Sequence, residues 1–519
     1  MNWKRYKNLS PTEKYNETNY IIGLDVGNDS SAIAFYNLAD GVAEGIDLSG
    51  GYGKQSIPTA MQYVAESKEW VFGEYAVLGG GAGTVFPNLF ELMGQGGHVD
   101  VDGRSVRVAS VFALFIKELL GNVKNINPKA EIVGIVASVP AYFSAAAYEE
   151  FTQVFKIAGY EKELIALVPD RECVLARHYQ TVKDVTERTL LLDLGSRELR
   201  GGLYSVKKNA SGLSAVSMSS VFDSEISMAA LNSDVEKLFE SFLTGITGDL
   251  EAINTVGANN IREEFHAFTH QHKDVLFQKN IRTRPLKLYY NFVYPPVQHT
   301  ITVEQVDRLV APYVRRFNIF IRNVLEKNLY NKGVLPQQVD TVLCGGGGFE
   351  MLWAKEVVTK VFPKERVQFF KNPKMITAEG AALIAARELD LTGSPVSVED
   401  NHQLKYDIGL ADGENFLPLV ERNGFWWQKH PSKLLLVNSM VNGTLELHIA
   451  TLSPTGEGRS LANIHLDGLP ARPKGVTRLE IGVKFHSNTD ITITVKDQGF
   501  GDLFPQSDYE QEFAVSLGE

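Results

Sequence analysis

Two short stretches carry residues whose types and spacing could do phosphate chemistry. The first is IIGLDVGNDSSAIAFYNL at 21–38, and TLLLDLGSRELRGGLYSV at 189–206 answers it. In each, an apolar run reaches Asp-x-Gly, a short polar turn follows and a second apolar run leads away, which reads as a β-hairpin. The tip of such a turn presents backbone N–H groups and is a ready anion site. Gly27 and Gly195 let a phosphate approach the main chain with no Cβ in the way, and the preceding carboxylates, Asp25 and Asp193, can hold a hydrated Mg²⁺ on it. Asn28, Asp29 and Ser196 stand at the tips. The plainer reading of either copy alone is an Asp-Gly pair that closes a hairpin. The paired occurrence favours a nucleotide cleft.

Elements that could position these turns follow in order. After the first hairpin come a glycine-rich turn at 50–53, paired strands over 56–72, a second glycine loop at 79–83 and a largely buried helix at 110–120 (SVFALFIKELL). IVGIVASV at 132–139 reads as a strand buried on both faces. Pro140 to Ser144 then lead into an amphipathic helix stopped by Gly159, with Ser144 as its N-cap. A strand at 164–168 and a helix from about Arg171 precede the second hairpin. The pattern is helical over 228–277 and β-like over 285–303, and a long helix over 304–328 contains Pro312, which should kink or split it. A strand at 340–344 runs into Gly345, Gly346, Gly347 and Gly348, a third candidate anion loop, before a helix to Val361 and an alanine-rich helix at 378–389. The polar stretch 392–403 reads as a linker. Beyond it LEIGVKF and DITITVKD alternate apolar with polar residues, the pattern of antiparallel β structure, with Leu479, Ile481, Val483 and Phe485 facing inward.

The bulk numbers bound the partners. With 519 residues, 44% hydrophobic and 22% charged, the chain is too long for one core, so two or more domains are expected. A net charge of −11 gives no basic footprint for nucleic acid or for an anionic membrane surface. Cys173 and Cys344 both sit in apolar strings, which argues against a disulfide scaffold and fits a reducing, cytoplasmic compartment. Residues 1–19 are polar and lack an apolar segment, so they read as a loose leader, neither a signal peptide nor an anchor. No later run reaches the roughly 18 apolar residues of a spanning helix.

These segments together resemble the seventy-kilodalton heat-shock chaperone family, from about 20 to 504. IIGLDVGNDSSAIAFY resembles its first phosphate loop, TLLLDLGS its second, and IVASVPAYFSAAAYEEFTQVFKIAGYE its connecting strand and helix. TVLCGGGGFEMLWAKEVV and NPKMITAEGAALIAA resemble the adenosine segment, and the run 466–497 the peptide-binding sandwich. Sugar kinases and actins share the hairpins but carry neither VPAYF nor this tail. The resemblance implies an α/β actin-like ATPase domain of duplicated ribonuclease-H-like subdomains over 20–391, then an all-β sandwich over 404–510 and a tail over 511–519. It implies ATP or ADP with Mg²⁺ as cofactors, and unfolded or extended peptides and co-chaperones as partners. It places Asp25, Asp170 and Asp193 as candidate catalytic carboxylates and Lys273 on a helix packed against the adenosine.

Departures fall where the family does its chemistry. Asn28 and Asp29 stand in place of two threonines, and Ser196, Arg197 and Glu198 follow Gly195 where the family has Gly-Gly-Thr. Asp170 shortens a glutamate, Phe349 stands where an arginine would stack on the base, and Leu89 or Phe90 replaces a lysine that orients the attacking water. Losing such a positioning group costs about 10² to 10⁴ in rate. Glu198 and Asp29 could add like charge beside phosphates, which Arg197 or Arg200 could offset. After Phe504 too little chain remains for the helical lid that the family folds over peptide. The expectation is a divergent, lidless chaperone with weak or absent hydrolysis, or alternatively a non-catalytic adaptor. His266, His270 and His272 read as a solvated helix face rather than a metal site, as do Arg315, Arg316 and Arg322 rather than a phosphate patch. Phe425, Trp426 and Trp427 read equally as sandwich core or as an exposed peptide anchor.

Overall fold

The computed structural model describes residues 2–517 apart from 49–52, 79–82, 87, 141–142, 144, 182–187, 210–211, 248–252, 254–260, 278–284, 327–333, 392–395, 400–403, 405, 414, 423–429, 438–443, 453–457 and 487–489. Ser144 and the Phe425 to Trp427 triplet therefore lie outside the described residues, as do the side chains of His266 and His270. The chain divides into two compact units. One comprises Met1–Ala215, Phe222–Leu325 and Val334–Val398, and the other Val216–Val221, Glu326–Gly333 and Glu399–Glu519.

The first unit holds two mixed sheets with a shared pattern. In one, the hairpin Asn19–Val26 and Ser30–Asn37 is antiparallel, while Asn19–Val26 also pairs parallel with Glu131–Val139, which pairs parallel with Leu164–Pro169. In the other, Arg188–Leu194 pairs antiparallel with Leu199–Asn209 and parallel with Thr341–Gly345, which pairs parallel with Val367–Phe369. Strands with neighbours on both sides are apolar along their length, and Ile21, Ile22, Leu24, Leu190 and Leu192 are fully buried. The helix Ile376–Glu388 lies against the first sheet so closely that a Cβ on Gly23 would collide with the backbone of Ala378 and Ala382. Alanines along that helix permit the approach, and Ala378, Ala381, Ala382, Ala385 and Ala386 are all buried.

Three expectations change here. The first residues are not a loose leader: Trp3–Lys7 and Pro11–Lys14 are short helices, and Tyr6 is fully buried against the alanine-rich helix. The Tyr6 hydroxyl donates to the Lys14 carbonyl at 3.0 Å, and the Lys14 ammonium donates to the Leu389 carbonyl at 3.0 Å, closing that helix's C-terminal end. Pro312 does not split its helix, which runs unbroken over Val303–Glu326. Loss of one N–H bond is outweighed by the apolar stripe Val306, Val310, Tyr313, Phe317, Ile321 and Val324, all buried. Part of the polar stretch 392–403 forms a strand, Val396–Glu399.

The second unit is antiparallel β structure. One sheet runs Asn415–Val420, Asp407–Asp412, Leu445–Leu452, Gly458–Leu466, and the other Lys433–Val437, Thr477–Phe485, Asp490–Asp497, Glu510–Ser516. Leu479, Ile481, Val483 and Phe485 are buried and Lys484 is exposed, as the alternation requires.

Candidate functional site

Both Asp-x-Gly turns open into one cavity of about 470 Å³ within the first unit, a volume typical of small-molecule sites. Asp25 and Asp193 sit near the ends of equivalent strands, Asp25 opposite Ala32 and Asp193 opposite Arg200 across their hairpins. Asp170 opens the helix Asp170–Thr181. Of the residues singled out from sequence, Asp25, Gly27, Asn28, Asp29, Asp170, Asp193, Gly195, Ser196, Lys273, Gly346, Gly347 and Gly348 line this cavity. Gly345 does not, because it ends the buried strand Thr341–Gly345.

Glycine is required where the third turn meets the second. Gly346 has φ +82°, and a Cβ there would strike the Leu194 carbonyl at 2.5 Å and the Asp193 carboxylate. At Gly347 a Cβ would come within 2.8 Å of the Lys374 side chain, which lies across the turn. The helix Met228–Thr247 starts at the second hairpin tip, where the Met228 N–H donates to the Gly195 carbonyl at 3.0 Å and the Ala229 N–H to that of Ser196 at 2.9 Å.

The charges are distributed unevenly. Arg200 bonds Glu198 at 2.6 Å and also pairs with Asp170, whose carboxylate accepts the Arg171 N–H at 2.7 Å. Arg197 turns instead to Glu91 at 2.9 Å. The expected like charge of Glu198 is thus offset by Arg200, while Asp29 is exposed to solvent. Among the described residues no cationic side chain bonds Asp25 or Asp193. Asp25 accepts a hydrogen bond from the Ser138 hydroxyl at 2.6 Å. Burial pushes its carboxyl up to about 7, against the Ser138 bond, and Asp170 and Asp193 add to the rise. Burial likewise raises Asp193, opposed by Arg200 and reinforced by Asp170 and Glu198.

These two under-neutralised carboxylates are the hard oxygen donors that suit a hydrated Mg²⁺. The Asn232 Oδ1 has no hydrogen-bond partner among the described residues although it is buried on the cavity wall, so it fits a ligand donor. A magnesium nucleotide fits this donor set.

Phe349 is not a platform for a base. It is buried against Phe317 and Phe369, at ring centroid distances of 6.1 and 6.2 Å, away from the cavity. Leu89 and Phe90 are buried too, Phe90 packing on Phe143 at 5.0 Å and on Phe151 at 5.3 Å. Sequence reasoning missed Ser138, Asn232 and Lys374. Ser138 and Lys374 lie in the quoted strings IVASVPAYF and NPKMITAEGAALIAA but were not singled out within them, and Asn232 had no local signal. Among the described residues no cluster of three or more metal-ligating side chains forms, and no helix is long and apolar enough to cross a membrane.

Comparison with known proteins gives two family matches and a set of distant relatives. Residues 403–517 match a domain of unknown function (DUF8552), and residues 43–246 match the C-terminal part of a family of unknown function (DUF5716). The chain is 22% identical over 427 residues to the chaperone protein DnaK of Thermus thermophilus, covering 78% of this chain and 64% of that protein. The DnaK of a second strain of the same organism matches to the same extent. This is distant homology to a heat-shock-70 chaperone, and the mixed α/β architecture with several sheets is consistent with a DnaK-like fold. The chain spans about 64% of the length of these curated relatives.

Proposed function

We propose that this chain is a divergent heat-shock-70-like chaperone that binds ATP or ADP with Mg²⁺ and an extended or unfolded polypeptide, and hydrolyses ATP weakly or not at all. The observation that carries this reading is the meeting of three glycine turns, 27–28, 195–196 and 346–348, on one cavity that also receives Asp25, Asp170 and Asp193. In this reading residues 20–391 form an actin-like nucleotide domain, 392–403 the connection and 404–510 a peptide-binding sandwich, in a cytoplasmic protein that works with co-chaperones.

Phosphate oxygens bind at the tips of the turns that follow Gly27 and Gly195, whose own N–H groups donate to the Ser30 and Glu198 carbonyls at 3.1 and 3.0 Å, and along Gly346 to Gly348, while Lys273 and Lys374 supply positive charge from the cavity wall. Asp25 and Asp193 would hold Mg²⁺, and Ser138 keeps Asp25 oriented. The ion, when bound, screens phosphate charge from these carboxylates. Asn232 accepts a hydrogen bond from the nucleoside. Weak turnover follows from the chain's own side chains: Arg200 occupies Asp170 and Glu198, so neither is free to take a proton from water, and Phe90 is committed to the core.

The second reading, a non-catalytic adaptor that keeps the chaperone fold, draws on the same Arg200 pairing. Fluorescence anisotropy of a labelled Leu-rich heptapeptide with the full chain separates the two. The chaperone reading expects saturable binding at about micromolar Kd or weaker, about −8 kcal/mol. No binding at hundreds of micromolar would leave the adaptor.

A further inference from the structure

We infer that Arg197 discriminates ATP from ADP, by leaving Glu91 to bind the terminal phosphate. The inference rests on the nucleotide reading and names what sets selectivity at that site. Arg197 follows Ser196 at the tip of the second turn and belongs to the cavity wall, yet its Nε donates at 2.9 Å to Glu91, a residue outside that wall. Glu91 is carried by the short helix Leu89–Leu92, whose Leu89 and Phe90 are buried in the same core as Leu24 and Val26 of the first Asp-x-Gly strand. The ion pair therefore ties the second turn to the side of the cavity built on the first sheet.

The helix Met228–Thr247 fixes which end of a nucleotide meets this pair. It starts at the second turn and carries, one helical turn further on, Asn232, whose Oδ1 is buried on the cavity wall with no hydrogen-bond partner among the described residues. A nucleoside held by Asn232 lies on the second-sheet side, so its phosphates run past the second turn toward the first. The terminal phosphate of ATP is then the group that reaches the Arg197–Glu91 side, and ADP ends one phosphate short. The two side chains are 41% and 28% exposed, so water screens their attraction and the pair is weak. A phosphate offers the planar guanidinium two oxygens and more charge than one carboxylate, so it wins Arg197 from Glu91. With ADP the ion pair stays closed.

Titration calorimetry of the full chain and its variants with ATP and with ADP, both in Mg²⁺, tests this. Arg197→Gln should weaken ATP by about tenfold, or 1.4 kcal/mol, and ADP by less than about twofold. Glu91→Gln removes the competitor for the guanidinium, so it should tighten ATP by about threefold, the scale of an exposed ion pair, and leave ADP unchanged. Added to Arg197→Gln, the same glutamate substitution should have no further effect on either nucleotide. The opposite signs of the two single substitutions separate a phosphate ligand from a brace. If the pair only held the second turn in place, losing either partner would weaken ATP and ADP alike, and that result overturns the proposal. An unchanged ratio of ATP to ADP affinity in Arg197→Gln overturns it too, while the nucleotide reading stands. Binding of neither nucleotide by the wild-type chain overturns that reading and this proposal with it.

Discussion

At Arg200 the guanidinium holds Asp170 and Glu198, which leaves Asp25 and Asp193, of the three candidate aspartates, facing the cavity without a bonded cation among the described residues. That division was only partly readable from sequence. A turn for a metal-bound phosphate pairs a glycine with a carboxylate two residues before it, so Gly27, Gly195 and their aspartates leave a local trace. Ser138 and Asn232 act through contacts between distant segments, and no local pattern distinguishes them from any other serine or asparagine. The raised Asp25 carboxyl has a consequence for stability. Between its unfolded value, near 4, and about 7, the native state holds a proton that the unfolded chain has released, so stability falls as pH rises through that window. Asp25→Asn removes the penalty. In chelator its melting temperature should exceed that of the wild type by about 2 °C or more at pH 8, and the gap should close toward pH 4. Equal gaps at both pH values would show that Asp25 is not held protonated.

Elements with a strong period were the most legible. The alternation of Thr477–Phe485 gave its buried face residue by residue, and the duplicated hairpins sit in sheets of like pattern. The first segment was misread because its apolar residues, Trp3, Tyr6 and Leu9, are sparse among charges, and only the alanine-rich helix explains where they go. Phe349, named from sequence only as standing where an arginine would stack, packs beside the rings of Phe317 and Phe369, a placement that no local pattern announces. In the second unit the turn after Asp490–Asp497 is fixed by a buried ion pair. Arg472 bonds Asp497 at 2.6 Å, and the Gly499 and Ser507 N–H groups donate to the same carboxylate at 3.2 and 2.9 Å. Burial alone would raise the Asp497 carboxyl, but Arg472 and these donors outweigh it and hold it well below the usual carboxylate range. The stabilisation is present above the unfolded value, near 4, and is lost as pH falls below it. Asp497→Asn strands the Arg472 charge and should cost about 3 kcal/mol at pH 7 in urea unfolding of the second unit's transition. A loss under about 0.5 kcal/mol, the scale of an ordinary surface substitution, would mean the pair is not buried in solution.

Over the whole molecule, the cavity, the glycine turns and the distant homology to DnaK point the same way, while Arg200, Phe90 and Phe349 depart from a hydrolytic site. The reading therefore depends on nucleotide entering the cavity and on the carboxylates requiring a metal when it does. Isothermal titration calorimetry of the full chain with ATP and ADP, with Mg²⁺ and in chelator, measures both. The account predicts one site per chain, with affinity at least about tenfold, or 1.4 kcal/mol, tighter in Mg²⁺ than in chelator. No heat of binding with either nucleotide in Mg²⁺ would contradict it.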